Sequence, residues 1–511
     1  MPQDHDTGSD APPTPRLARR IGLVLGPVLF LFALLLPLPV LDSAAPDFRM
    51  RATLGLALWM AAWWMTEALP LAASSLLPLV VMPACGVMTA PAAASHFFSD
   101  IVALFLGGFC LALAMQKAGL HRRIAMVVLR IFGSRPRRLV LGFLCASALL
   151  SMWVSNTATT LMLIPVVLTV TALPGPRTPQ MARFAAACLL AVAFGASIGG
   201  VGTTIGTPPN VFLAGFYNQH YEARIAAGEL APITFGRWML VGVPLVLALV
   251  PACWLLLTRL SPGVPRDFAA DVKLQHAGRI SAAEATVMGL FLITALAWIT
   301  RAPVSIGEAV LPLTGWDRAF SFGAAGTYIS EGTISIAAAL ALFLLPDWRK
   351  GGERLLTWEF AAPRLPWGAL LLFGGGLALA QGLKDGGVIA YLTAAFGTLA
   401  GVPLWLVILV VILCVTVISE LASNTASAAM AIPVLASLAA ALGVEPGPLL
   451  MAAALGASCG YALPVATPPN TIVYATGEVT VAQMVKAGAL LDVIAAAAMY
   501  AVVMLLARAV L

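Results

Sequence analysis

Charge is scarce in this chain. Of its 511 residues only 10% are Asp, Glu, Lys or Arg, and 60% are hydrophobic. Soluble domains carry about 25% charged and about 45–50% apolar residues, so the composition argues against a water-soluble globule and for a bilayer protein. The seven cysteines (Cys85, Cys110, Cys145, Cys188, Cys253, Cys414, Cys459) sit singly in apolar segments, with no CxxC or CxxH pair. They read as small buried hydrophobes, not as disulfides or metal ligands. The five histidines are scattered, and no HExxH, Walker A loop or dinucleotide fingerprint occurs. Paired carboxylates and Ser/His/Asp arrangements are also lacking, so the chain is expected not to be an enzyme and to use no organic cofactor.

What the chain has in abundance is apolar runs of roughly 20 residues, the length of a spanning helix. They fall at about 21–41, 52–69, 71–88, 101–118, 184–215, 234–258, 281–300, 327–346, 367–383, 449–476 and 482–511. Two double-length blocks, 139–173 and 402–441, interrupt the series, and each carries Ser-Asn-Thr near its middle. Residues 1–20 are polar and Pro-rich, which predicts a disordered cytoplasmic tail ahead of a retained first span. If each double-length block is a hairpin that enters and leaves on one side, 21 of the 29 Lys and Arg residues share one face of the membrane. Positive residues favour the cytoplasm, so the N-terminus is expected inside and the C-terminus outside, in an inner (plasma) membrane. The fold class is an all-α polytopic membrane protein of about 11 transmembrane helices plus two re-entrant helical hairpins. The segment KAGLHRRIAMVVLRIFGSRPRR predicts an amphipathic helix on the cytoplasmic surface. The net charge of +6 is thus an orientation signal, and no nucleic-acid partner is expected.

The second half of the chain echoes the first. FLGGFCLALAMQKAGL (105–120) returns as LFGGGLALAQGLKDGG (372–387), SNTA at Ser155 returns at Ser423, and GTPPN (206–210) returns as ATPPN (466–470), all in the same order. Three matches in register point to a duplication. The first hairpin opens to the cytoplasm and the second to the outside, so the repeats are inverted, a signature of secondary transporters.

Both motifs carry recognisable chemistry. Ser, Asn and Thr offer donors and acceptors without formal charge, and such groups are costly in hydrocarbon unless satisfied. The tips Ser155–Thr157 and Ser423–Thr425 must therefore face a protein cavity or water. Pro208-Pro209 and Pro468-Pro469 each force a helix break. A break frees carbonyls that suit a cation such as Na⁺, and N–H groups at a half-helix start that suit an anion. A single Ser or Thr in a spanning helix usually does no more than cap a neighbouring carbonyl; two pairs of motifs in register are better explained by a binding site. Among ionisable residues, Glu420 reads either as a partner behind the site or as holding its hairpin's turn, the structural role being preferred since the position before Ser155 has no acid. Glu67 reads as a helix-terminus residue, and Lys117 and Lys384 as snorkelling side chains at membrane edges.

With SMWVSNTA (151–158), SELASNTA (419–426) and PVATPPNTIV (464–473) in view, the chain resembles the divalent anion/sodium symporter (DASS) family of sodium-coupled di- and tricarboxylate and sulfate transporters. It departs at Tyr461, where the signature usually has Phe, and at Ser419, where relatives often have Thr. The resemblance implies a first sodium site of Ser151, Ser155 and Asn156 with the Gly206 backbone, and a second of Ser419, Ala422 and Asn424 with the Ala466 backbone. It implies a dianion held by Asn156, Thr157, Asn424 and Thr425 on the two tips, with Thr207, Thr467 and Pro468 lining the site. It further implies a homodimer with a scaffold domain (21–138 and 281–400) and a transport domain (139–260 and 402–511) that moves as an elevator, the halves joined by a cytoplasmic loop at 261–280. Without the soluble insert that many sulfate-transporting relatives carry, the expected substrate is a C4-dicarboxylate such as succinate, malate or fumarate, imported with Na⁺. The alternatives are a sodium-independent dicarboxylate exchanger, or a sulfate or citrate symporter of the same fold.

Overall fold

Backbone polar groups in hydrocarbon must be satisfied within their own segment, which makes helices the default for so apolar a chain. The computed structural model describes residues 16–36, 38–39, 47–172, 178–264, 278–303, 305–306, 309–310, 314–320, 328–347, 353–397 and 401–507. The polar tail up to residue 15 and most of the 261–280 loop lie outside the described residues. The first half forms α1 (Arg16–Leu35), α2 (Phe48–Thr66), α3 (Leu71–Ser74), α4 (Leu77–Ala84), α5 (Ala90–Ser95), α6 (Asp100–Ala118), α7 (Leu120–Phe132), α8 (Pro136–Ser151), α9 (Asn156–Thr171), α10 (Pro179–Gly200), α11 (Pro208–His220), α12 (Glu222–Ala226) and α13 (Phe235–Arg259). The second half forms α14 (Ala282–Thr300), α15 (Glu331–Leu344), α16 (Trp358–Ala361), α17 (Trp367–Asp385), α18 (Val388–Phe396), α19 (Leu404–Leu421), α20 (Asn424–Ala441), α21 (Pro446–Ala457), α22 (Pro468–Ala475) and α23 (Val481–Val502). The protein is all-α; a two-residue pairing of Ser305–Ile306 with Ala309–Val310 is a minor exception.

Every apolar segment read from the sequence coincides with a helix or a helix pair. Among the described residues, eight helices are long and apolar enough to cross a membrane by themselves, or up to nine if the bent pair ending in α17 counts as one. Others are shorter than expected. The 71–88 segment breaks between α3 and α4, and α15 has only 14 residues. The double-length blocks resolve into helix pairs, α8–α9 and α19–α20, each turning just before its Asn.

The duplication is visible in backbone geometry. α6 leads into the amphipathic α7 through Gly119 (φ 82°), and α17 into α18 through Gly387 (φ 79°); this left-handed conformation favours glycine. Thr207 and Thr467, which start α11 and α22, have φ/ψ of −142°/143° and −140°/148°. Packing then interleaves the halves. The returning arm α9 lies against α22 of the other repeat, and α20 lies against α11. Each hairpin thus meets the broken helix of the opposite half. The core around them is close-packed: Ala185–Gly200 in α10 and Pro446–Ala457 in α21 are buried along their whole length.

Candidate anion and cation site

The hairpin tips are built by helix capping. Ser155 is the N-cap of α9, its Oγ accepting the Ala158 N–H at 3.4 Å, and Ser423 holds the same place before α20. Asn156 and Thr157 occupy the first turn of α9, as Asn424 and Thr425 do in α20. The first turn of a helix presents unpaired N–H groups and the positive end of its dipole, so both tips favour negative charge. Asn156, Thr157, Ser423 and Asn424 are half-buried and Pro468 is exposed, whereas Ser151 and Ser419 are fully buried behind them.

Behind the first tip, oxygens converge. The Asn156 side-chain amide faces Ser151 Oγ at 2.6 Å and the carbonyls of Gly206 and Ala196 at 3.2 Å each. With its nitrogen inward the amide donates to these groups; with its oxygen inward it joins them in a cage that a cation would satisfy. Of the four residues that the resemblance groups here, Ser151, Asn156 and Gly206 are thus brought together, Ser155 instead caps α9, and Ala196 joins the cluster. Gly200 completes the pocket, for a Cβ there would lie 2.8 Å from Asn156 Oδ1 and 3.0 Å from Gly206 O. Behind the second tip, the Ser419 hydroxyl is placed to donate to Asn424 Oδ1 (2.8 Å) or Ala457 O (2.7 Å). Ala466 and Ser419 O both adjoin Gly460, and Ala422 ends α19 in an extended conformation.

The asparagine of each TPPN motif performs a task the sequence did not announce. Asn210 Nδ2 donates to the carbonyls of Gly200 (3.2 Å), Val201 (3.3 Å) and Thr203 (2.8 Å). Asn470 Nδ2 donates to those of Gly460 (3.2 Å), Tyr461 (3.3 Å) and Leu463 (3.0 Å). One amide therefore serves the carbonyls that each helix break exposes. Both asparagines are fully buried, and their Oδ1 atoms find no partner. Thr207 and Thr467 are buried N-caps, and Thr467 Oγ1 accepts the Asn470 N–H at 3.4 Å.

Two acids were misjudged or missed. Glu420 does not hold its own hairpin's turn; it reaches the broken-helix loop and accepts the Ala462 and Leu463 N–H groups, both at 2.9 Å. Asp492, unremarked in the sequence reading, accepts the Tyr461 N–H at 3.4 Å. Its signal was present: a lone acid in the middle of the apolar α23 is a functional candidate by default. A cleft lined by Asp100, Thr204, Asn218 and Glu331 opens beside the first broken helix, but its two carboxylates would repel an anion. Lys117 and Lys384 end on backbone carbonyls, those of Arg354 (3.0 Å) and His220 (3.2 Å). Glu67 is the left-handed C-cap of α2, as expected for a helix-terminus residue.

The family model for the sodium:sulfate symporter transmembrane region matches residues 18–510. The chain belongs to that family. The sodium:sulfate symporter family match is supported by curated relatives: the sodium-dependent dicarboxylate transporter SdcS of Staphylococcus aureus strains USA300 and NCTC 8325 / PS 47 is 37% identical over 493 residues. That alignment spans 93% of this chain and 89% of SdcS. Among solved structures, the fold resembles that of the Alcanivorax borkumensis YdaH transporter, described as having an unusual topology. The TM-score is 0.58 at 16% identity, covering 96% of this chain and 97% of that one. At that identity the likeness concerns the fold alone. Family membership makes the chain an integral membrane transporter and not an enzyme.

Proposed function

We propose that the protein is a sodium-coupled importer of C4-dicarboxylates, working as a homodimer in the inner membrane by elevator-type alternating access. The observation that carries this reading is the oxygen cage at Asn156, where a side-chain amide, a hydroxyl and two carbonyls converge with no cationic side chain among them. Sodium ions are the coupling species, bound behind each tip by Ser151, Ser155, Asn156 and Gly206 and by Ser419, Ala422, Asn424 and Ala466. The dianion lies between the tips, held by Ser155–Thr157 and Ser423–Thr425 and lined by Thr207, Thr467 and Pro468. None of these residues is Lys or Arg. Fixing two carboxylates against neutral dipoles alone is costly, so the bound cations supply the missing positive field and coupling follows from electrostatics. A relative of similar length that is named a sodium-dependent dicarboxylate transporter supports the choice of substrate class.

Uptake by proteoliposomes tests the reading. Labelled succinate should accumulate under an inward Na⁺ gradient and stay at background when K⁺ replaces Na⁺, with sulfate and citrate as weaker competitors. Uptake by counterflow that ignores sodium would replace the symporter with an exchanger, and sulfate outcompeting succinate would move the substrate class.

A further inference from the structure

The two halves match closely enough that their differences carry information. In the broken-helix loops, Gly200 through Asn210 correspond one for one to Gly460 through Asn470, pairing Val201 with Tyr461, Gly202 with Ala462 and Thr203 with Leu463. In the hairpins, the alignment of Ser151 with Ser419 pairs Met152 with Glu420. In the closing helices, Gly242 of α13 and Gly488 of α23 make the same close approach. A Cβ on Gly242 would lie 2.6 Å from Val201 O and 2.8 Å from Gly202 O, and one on Gly488 would run into Tyr461 and Ala462. One helical turn further on, that alignment pairs Val246 with Asp492.

At these matching places the first repeat therefore backs its loop with neutral groups. Met152 fills the space beside Gly202, where a Cβ would lie 2.9 Å from its Cε. Trp238 Nε1 donates to Val201 O at 2.9 Å, the Thr203 hydroxyl donates to Met152 O, and Val246 is buried. The second repeat puts carboxyl groups at both matching places. Glu420 takes the Ala462 and Leu463 N–H groups and Asp492 takes that of Tyr461, so three successive residues of the loop are held by acids. This loop runs directly into Ala466 and Thr467, and it packs on Ser419.

We propose that Glu420 and Asp492 are positioning residues that together set a negative charge behind the second sodium site, at two places where the first repeat has Met152 and Val246, so that the second site binds sodium more tightly and fills first. The inference rests on the sodium-coupled reading above and adds to it an order of binding. Negative charge close to a partly buried cation site raises its affinity, because the interaction is weakly screened there. The charge of the pair acts through the loop and through space; neither side chain is required to touch the ion.

The experiment compares the full-length wild type with Glu420→Gln and with the double variant Glu420→Met/Asp492→Val. The double variant gives the second repeat the apolar pair with which the first repeat already folds. Initial succinate uptake into proteoliposomes is measured against external Na⁺ at constant ionic strength, together with the Na⁺-induced rise in melting temperature without substrate. The sodium concentration for half-maximal uptake should rise about tenfold in the double variant, and several-fold in Glu420→Gln, for loss of charge–charge coupling of ordinary size. The rate at saturating sodium should stay within about threefold of wild type, the pattern of lost binding and not lost chemistry. Variant curves that superimpose on a sodium-dependent wild-type curve would reduce the two acids to loop anchors and overturn the proposal. So would a fall in maximal rate at unchanged half-saturation. A wild-type curve already flat in sodium would instead sink the symport reading on which the proposal stands. If the double variant fails to fold, Glu420→Gln, which keeps an acceptor for the loop, still decides the matter by the same two readouts.

Discussion

Four asparagines stand at the candidate site, in two kinds of environment. Asn156 and Asn424 are half-buried on the tips, whereas Asn210 and Asn470 are fully buried and each serve three backbone carbonyls. Asn156→Ala or Asn424→Ala should abolish sodium-driven uptake with little change in melting temperature, because a half-exposed tip can fill with water. Asn210→Ala or Asn470→Ala strands three buried carbonyls, and leaving buried polar groups unmade costs about 1–3 kcal/mol each before water enters. These variants should lose on the order of 3 kcal/mol of stability, read as a drop in melting temperature in detergent. A tip variant that unfolds the protein, or a buried-Asn variant as stable as wild type, would contradict the division. The tips were legible in the sequence because three polar residues inside an apolar block need an explanation. The TPPN asparagine was legible only as part of a motif, since its partners lie seven to ten residues back across a break whose course no local pattern specifies. Glu420 was misassigned because its donors come from a loop more than 40 residues further on.

At the scale of elements, helix pairs and breaks were readable from run length and proline, while the joints between elements were not. The amphipathic α7 is expected from its charge pattern, yet at 13 residues such a helix is marginal alone. Its hold comes from Arg123. Nε and Nη2 each lie 3.0 Å from a Glu284 oxygen, and the guanidinium also donates to the carbonyls of Gly278 (2.9 Å) and Arg279 (2.7 Å). Glu284 in turn closes a capping box with Ser281 at the start of α14. This clasp joins segments 161 residues apart, and no sequence pattern could have paired them. The ion pair is largely buried, so removing one partner leaves the other uncompensated at a cost of roughly 3 kcal/mol. Arg123→Ala should lower the melting temperature accordingly, and Arg123→Lys should recover only part of the loss because it lacks the planar two-pronged geometry. Equal stability of the alanine variant would mean that α7 is held by its apolar face alone.

Across the whole molecule, the interleaving of the repeats and the distribution of charge bear on the same question, how the two hairpins meet. The arms α8 and α9 have 16 residues each, and α19 and α20 have 18 each. At 1.5 Å per residue these arms reach about 24–27 Å; α19 and α20 are long and apolar enough to span by themselves, whereas α8 and α9 fall short of a hydrocarbon core about 30 Å thick. The packing of α9 on α22 and of α20 on α11 ties each hairpin to a broken helix of the other half, while the tip residue Asn156 meets the break of its own half at Gly206. In the proposed arrangement the hairpins enter from opposite sides, and the loop charges give the expected sides. With 21 of 29 Lys and Arg residues on the face that the hairpin reading gives to the N-terminal tail and residues 117–138, that face is the one expected in the cytoplasm. Arg122 and Arg318 are both exposed and fall on opposite sides of this assignment. In a background with the native cysteines replaced, Arg318→Cys should react with a membrane-impermeant maleimide in intact cells, and Arg122→Cys only after permeabilisation. The reverse pattern would invert the molecule. Labelling of both in intact cells would place the two loops on one face, and that would break the inverted relation from which a single central site was argued.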